Sequence, residues 1–207
     1  VSQRDRELTV VERFTTASAS PVFERELLGY ADYRESRKGC VLRVTAALTE
    51  RPGAYVHLER WTGLDRLLRV VHQDPAAPAG PRGLAATIRT EAELLVSVGR
   101  MVLNGTPAEA ARLVLVRAVV TGEPDRFELD FGSLVGQCVA DDGFGGSDLL
   151  RSVADPCVYT GLLWWRDAAA CDRARASEGY RGRRTELAAT AHVTDEPARP
   201  LPDPEHP

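Results

Sequence analysis

The sequence predicts an α+β protein made of two tandem copies of one β-α-β-β-α-β unit, with antiparallel sheets. Three observations carry that expectation. Residues about 10–73 align with 114–177 without a gap, at an offset of 104 residues. The shared positions include Val10/Val114, Arg13/Arg117, Phe23/Phe127, Glu24/Glu128, Gly39/Gly143, Tyr55/Tyr159 and Trp61/Trp165. A period of half the chain makes the repeat a whole domain rather than a solenoid unit. Finally, each copy runs through the same alternation of β-rich segments and helical stripes.

The first copy opens with a β-rich run over 8–15, Leu-Thr-Val-Val-Glu-Arg-Phe-Thr. A helix is expected over 21–36, with Ser20 as N-cap and Pro21 at the first helical position. Phe23, Leu27 and Tyr30 form its apolar stripe, while Tyr33 and Arg34 are expected to be exposed. Gly39 suits the break before a second strand over 40–48. Arg51-Pro52-Gly53 reads as a turn into a third strand over 54–60, ending at Trp61. A second helix is expected over 63–73, a Pro/Ala/Gly loop from Gln73 to Arg82, and a fourth strand over 92–100. In the second copy the strands are expected at 112–120, 144–152, 157–164 and 189–194, and the helices at 124–140 and 167–177. Trp164 has no aromatic counterpart and is expected to face either the surface between the copies or solvent.

This element order is that of the ferredoxin-like split βαβ fold, a four-stranded antiparallel sheet with both helices on one face. The bare sheet faces of two such domains can bury each other, so the expected architecture is an intramolecular pseudo-dimer. The expected domains are 1–105 and 106–195. A disordered tail is expected over 196–207, where Pro and acidic residues dominate.

Composition narrows the function. The net charge of −4 offers no basic excess for nucleic acid. No apolar run reaches membrane-spanning length, and no secretory leader pattern is present, so a cytoplasmic location with no membrane partner is expected. The four cysteines lack C-x-x-C spacing and read as reduced thiols, with no metal and no cofactor expected.

The second copy reads Gly143-Phe-Gly-Gly-Ser-Asp, then Asp155-Pro156, then Tyr159-Thr-Gly-Leu-Leu-Trp-Trp165-Arg-Asp. The first has Gly39, Arg51-Pro52-Gly53 and Tyr55-Val-His-Leu-Glu-Arg-Trp61. This pattern of glycine-led strand, turn, Trp-ended strand and short helix resembles the antibiotic biosynthesis monooxygenase family. The resemblance implies a ferredoxin-like, usually dimeric fold. It also implies cofactor-free oxidation of a polycyclic phenol or anthrone to a quinone by O2, in aromatic polyketide biosynthesis. Two alternatives stand beside it: a polyketide cyclase using the same pocket, and a non-catalytic binding partner of the pathway. A further homodimer would also fit. In quinone-forming members an Asn lies four residues before the Trp; here those positions hold His57 and Gly161.

His57 is therefore the expected base, since a near-neutral imidazole can deprotonate a phenol. Its other reading is a structural histidine. Trp61, Tyr55, Tyr30 and Trp165 are expected to contact a flat substrate, or alternatively to pack the core. Arg13 is expected to stabilise an anion or to serve an interface. His72, in the region where haem-degrading relatives place their iron ligand, is carried as a pocket residue.

Overall fold

The computed structural model describes residues 7–74 and 89–202. The chain divides into two compact units, Val1–Leu95 with Pro200–Pro207, and Val96–Arg199.

The first unit contains β1 (Leu8–Thr15), α1 (Pro21–Glu35), β2 (Cys40–Leu48), β3 (Ala54–Trp61), the short α2 (Leu64–Leu68) and the first half of β4 (Arg89–Val102). Its sheet order is β4-β1-β3-β2, all antiparallel, as in a ferredoxin-like domain. Ser20 caps α1 by accepting the Phe23 N–H at 3.3 Å, with Pro21 in the first turn. The buried stripe of α1 is Phe23, Leu27, Tyr30, Ala31 and Arg34. Arg34, expected at the surface, is thus a core residue, because i+11 from Phe23 returns to the same helix face. Tyr33 is half-buried under the Arg37 guanidinium, 4.2 Å from the ring centre. The expected second helix is α-helical only to Leu68 and then widens into a π-type turn, Arg69–Gln73. Most of the Gln73–Arg82 loop lies outside the described residues. Leu201 closes this unit's core, packing with Phe14, Phe23, Leu27, Tyr30 and Tyr55. Its N–H donates to the Thr45 carbonyl at 2.8 Å.

The second unit contains the rest of β4, then β5 (Arg112–Val120), α3 (Pro124–Val139), β6 (Phe144–Ser152), β7 (Val158–Trp165), α4 (Ala168–Ala176), α5 (Glu178–Ala188) and β8 (Ala191–Pro200). Its sheet order, β8-β5-β7-β6, repeats that of the first unit. The shared residues do the same work in both. Tyr55 and Tyr159 each lie 5.0 Å from the ring of Phe23 or Phe127. Their hydroxyls donate to Glu24 (3.1 Å) and Glu128 (2.8 Å). Both second strands carry a bulge at the same repeat position, Cys40/Leu42 and Phe144/Gly146. Gly39 has φ +109, and a Cβ on Gly143 would come within 2.4 Å of Ala170.

Three differences from expectation have physical causes. The unit boundary falls at Leu95/Val96, inside β4, and not at the expected 105/106, within the segment 101–110. That segment instead holds a capped 3-10 turn, with Glu109 accepting from the Thr106 N–H at 2.8 Å. The helix α5 follows α4 directly, started by Ser177, whose hydroxyl accepts the Tyr180 N–H at 3.1 Å. The expected tail is strand as far as Pro200: Asp195 accepts from Tyr180 (3.1 Å) and Arg184 (2.5 Å), so its charge is a partner rather than a solubilising tag. Residues 203–207 of that tail lie outside the described residues. Trp164 is buried, which excludes the solvent-facing alternative.

Candidate functional site

The first unit holds a charged cluster between α1 and its sheet. Strand pairing sets its floor. Glu12 on β1 is register partner of His57 on β3, and His57 is register partner of Thr45 on β2, so the three side chains stand in one row. Glu59 and Trp61 follow His57 on the same face of β3 at the strand's two-residue period. The roof is α1, whose Tyr30 and Arg34 are one helical turn apart.

The polar contacts are nearly all internal. The Tyr30 hydroxyl donates to both oxygens of Glu12, at 3.2 and 3.0 Å. Glu59 is fully buried and accepts from Arg34 Nε at 2.9 and 3.1 Å, from an Arg34 terminal nitrogen, and from Trp61 Nε1 at 3.0 Å. The Arg34 guanidinium also lies 5.5 Å from the Tyr30 ring and 5.7 Å from that of Trp61. His57, 0% exposed, shares a hydrogen bond with Thr45 through Nδ1 at 3.0 Å, and its Nε2 has no partner. A buried, unsatisfied polar atom is expensive, so an open nitrogen at this position calls for a reason.

Burial sets the protonation states. It pushes His57 down to about 3 from 6.5, helped by the positive charges of Arg34 and Arg43. Burial raises the Glu12 carboxyl, with Arg34 opposing and Glu59 adding to the rise. Burial, then Glu12, raises the Tyr30 hydroxyl. Burial works against the Arg34 charge, but hydrogen bonding to Glu59 and its charge outweigh it, and Arg34 is raised. His57 is therefore neutral at physiological pH, and the easily protonated group is Glu12.

A pH dependence of stability follows. The unfolded chain takes a proton on His57 below about 6.5, whereas the folded chain resists until about 3. The stabilisation is complete above 6.5 and is lost as pH falls toward 3. Glu12 works in the opposite sense, because its raised value favours the protonated carboxyl in the fold, a contribution lost as pH rises. Glu59, Tyr30, Thr45 and the two arginines also face the imidazole, so the comparison must isolate it. Urea unfolding of wild type and His57→Gln across pH 3–7 is expected to show wild type losing stability relative to the variant as pH drops. Parallel profiles would refute the buried neutral imidazole.

The structure gathers His57, Trp61 and Tyr30 from the residues picked out in the sequence. Tyr55 shares their sheet face but is engaged with Glu24 and Phe23. Arg13 points to the opposite face from its neighbour Glu12 and pairs with Glu93 at 3.2 Å, which removes it from this cluster. His72 is exposed on the π-type turn and takes no part in the cluster. Trp165 is a core residue of the second unit, 5.1 Å from the Phe144 ring. Sequence reasoning missed Glu12, Arg34, Thr45 and Glu59 as members. The signal was in the repeat: at an offset of 104 their partners are Val116, Cys138, Leu149 and Leu163, with Leu134 for Tyr30 and Gly161 for His57. The second unit fills the same row, Val116-Gly161-Leu149, with hydrocarbon, and Phe131 packs over the Gly161 backbone.

Comparison with known proteins identifies the second repeat. Residues 112–183 match the family model described as antibiotic biosynthesis monooxygenase. The match spans the second repeat from β5 into α5. Solved structures resemble the chain over nearly its whole length. A proposed monooxygenase from Fusobacterium nucleatum shares 9% identity, with 95% of this chain and 93% of that one covered and a TM-score of 0.77. A proposed monooxygenase from Lactobacillus acidophilus gives 11%, 95%, 93% and 0.67. An anthrone oxidase-like protein gives 13%, 98%, 94% and 0.64. At such identities the likeness is one of fold. No curated protein matches the sequence. Among the described residues, no helix is long and apolar enough to cross a membrane.

Proposed function

We propose that the chain is a cofactor-independent monooxygenase whose reacting half is the first unit, with a polycyclic phenol or anthrone of aromatic polyketide type as substrate. One observation carries this reading. The same fold is built twice, once with an apolar row and once with Glu12, His57, Thr45, Tyr30, Arg34 and Glu59. The second unit shows that the fold does not need the charges, so chemistry is the better account of them. The family match of the second repeat and the expected pattern around Trp61 support the oxygenase class.

Within that reading, the proton acceptor is Glu12 rather than His57. An imidazole held down to about 3 is a weak base, whereas a carboxylate raised by burial takes a proton readily. With the Thr45 hydroxyl donating to Nδ1, the neutral His57 presents an Nε2–H to the substrate oxygen, which stabilises an enolate without a charged imidazolium. Trp61, four residues along the same strand face, is the aromatic ring assigned to pack against the substrate in this reading. The substrate carbanion passes an electron to O2 and recombines with the superoxide, forming a C–O bond. The peroxide then loses water to leave a carbonyl. One oxygen atom stays in the quinone, the other leaves as water, and the methylene loses both hydrogens. The same deprotonation without O2 would drive an aldol cyclisation, which is the second reading.

Oxygen uptake with 1,8-dihydroxyanthrone tests the proposal. Catalysed uptake of one O2 per quinone formed is expected, and Glu12→Gln should slow it by about 10²-fold or more. Uptake no faster than spontaneous oxidation would reject the oxygenase, and anaerobic turnover of an uncyclised polyketide would then establish the cyclase.

A further inference from the structure

The first unit carries a cavity of about 360 Å³ between the Arg37–Lys38 turn that follows α1 and the segment of α2 and the π-type turn. That volume lies in the range of small-molecule sites. Four cations line it, Arg37, Lys38, Arg66 and Arg69, and the only carboxylate among its described lining residues is Asp74. Asp74 pairs with Arg37 at 3.2 Å. The Arg37 guanidinium is also held over the Tyr33 ring, and its buried Nε has no hydrogen-bond partner. Among the described residues, no carboxylate pairs with Lys38, Arg66 or Arg69. The sequence after Asp74 contains no acidic residue over 75–88, so that stretch supplies no counter-charge.

Like charges around one space repel, and their collection here needs a reason. Helix ends offer one, because cations favour the negative C-terminal end of the dipole. The repeat shows that this reason is not sufficient. At the offset of 104, Arg37, Lys38 and Arg66 become Asp141, Asp142 and Ala170, while Arg69 is kept as Arg173. Two aspartates therefore follow α3 where two cations follow α1. The second unit has the corresponding hollow, of about 180 Å³, with Asp141, Arg173, Ala174 and Ser177 in its lining. There the kept arginine faces Asp141 at 3.8 Å. One hollow is neutralised by an internal ion pair, and the other is left cationic.

A guest must bring the missing charge. A carboxylate brings one negative charge, whereas a phosphoryl group brings nearly two and three acceptor oxygens, which suit guanidinium forks. The net charge of −4 does not favour an extended polyanion, so the guest is small. Val70 adds an apolar patch to the lining and shares a packed cluster with Trp61 and Leu67.

We infer that this cavity binds a phosphoryl group, either free phosphate or the monoester of a small organic molecule, without reacting with it. The site lies outside the row of Glu12, His57 and Thr45, and its occupancy does not depend on the oxygenation proposed above.

The test is calorimetric titration of the full chain at low ionic strength with inorganic phosphate, phenyl phosphate and acetate. Lys38→Asp and Arg69→Gln alter exposed side chains, so both are expected to fold as wild type does, and thermal melts check it. Expected are one phosphoryl ligand per chain and an affinity about tenfold lower or more in each of these variants. Arg173→Gln, the counterpart of Arg69→Gln in the second unit, should bind as wild type does. Acetate should bind about tenfold more weakly than phosphate, or worse. Phenyl phosphate binding tighter than phosphate would assign the organic monoester, and equal or weaker binding the free ion; the site stands on either. No saturable phosphate binding to wild type, unchanged affinity in both folded variants, or equal affinity for acetate would each overturn the inference. So would an equal loss in Arg173→Gln, because the attraction would then be diffuse charge and not a site.

Discussion

Replacing Arg34 with leucine is expected to destabilise the protein by about 3–5 kcal/mol. The loss arises mainly from what remains. Glu59 is fully buried, and Arg34 supplies all its recorded donors except the Trp61 N–H. Without the guanidinium, a carboxylate is left desolvated with one hydrogen bond, close to a second carboxyl at Glu12. A carboxylate in that position raises its proton affinity until it neutralises. Urea unfolding at pH 7 measures the effect, and most of the lost stability should return in the double variant Arg34→Leu/Glu59→Leu. A single variant within 1 kcal/mol of wild type would mean that Glu59 finds water or another partner on relaxation.

The second expectation runs the other way. Transplanting the second unit's apolar set into the first, with Glu12→Val, Leu27→Phe, Tyr30→Leu, Arg34→Cys, Thr45→Leu, His57→Gly and Glu59→Leu, should leave stability near wild type or raise it by about 1–4 kcal/mol. Replacing a whole buried ionic group with packed hydrocarbon removes the desolvation penalty together with the attraction. Phe131 over Gly161 shows how the space is refilled. These residues touch one another, so their effects will not add, and the group must be changed as one. Oxygenation should disappear in this stable protein. A transplant as unstable as Arg34→Leu would assign the cluster to holding the fold, and the functional reading would lose its main support.

The fold was largely legible because repeat and periodicity report backbone geometry. The strands over Leu8–Thr15, Cys40–Leu48, Arg112–Val120 and Phe144–Ser152 have the ends expected from the sequence. The misses have local causes. Strand β8 was hidden by its prolines and acids, since Asp195 and Glu196 read as solvated until Tyr180 and Arg184 are seen beside Asp195. The site was half legible. His57 and Trp61 stand out by residue type, but Glu12 and Arg34 look like ordinary surface charges in a strand and a helix. Only the three-strand row Glu12-His57-Thr45 and the roof above it reveal that they are enclosed. Arg13 is shared by both copies, and because one residue along a strand reverses the face it pairs with Glu93 away from this row, in keeping with its structural alternative.

The first unit takes Leu201 into its core and hydrogen-bonds it to Thr45, the residue that holds His57. Its construction therefore waits until Leu201 has been made. During synthesis, residues Val96–Arg199 are complete while the earlier half still lacks a core member. The half translated first is thus the half that matures last, and the chemistry assigned to it can begin only after Leu201 has emerged from the ribosome.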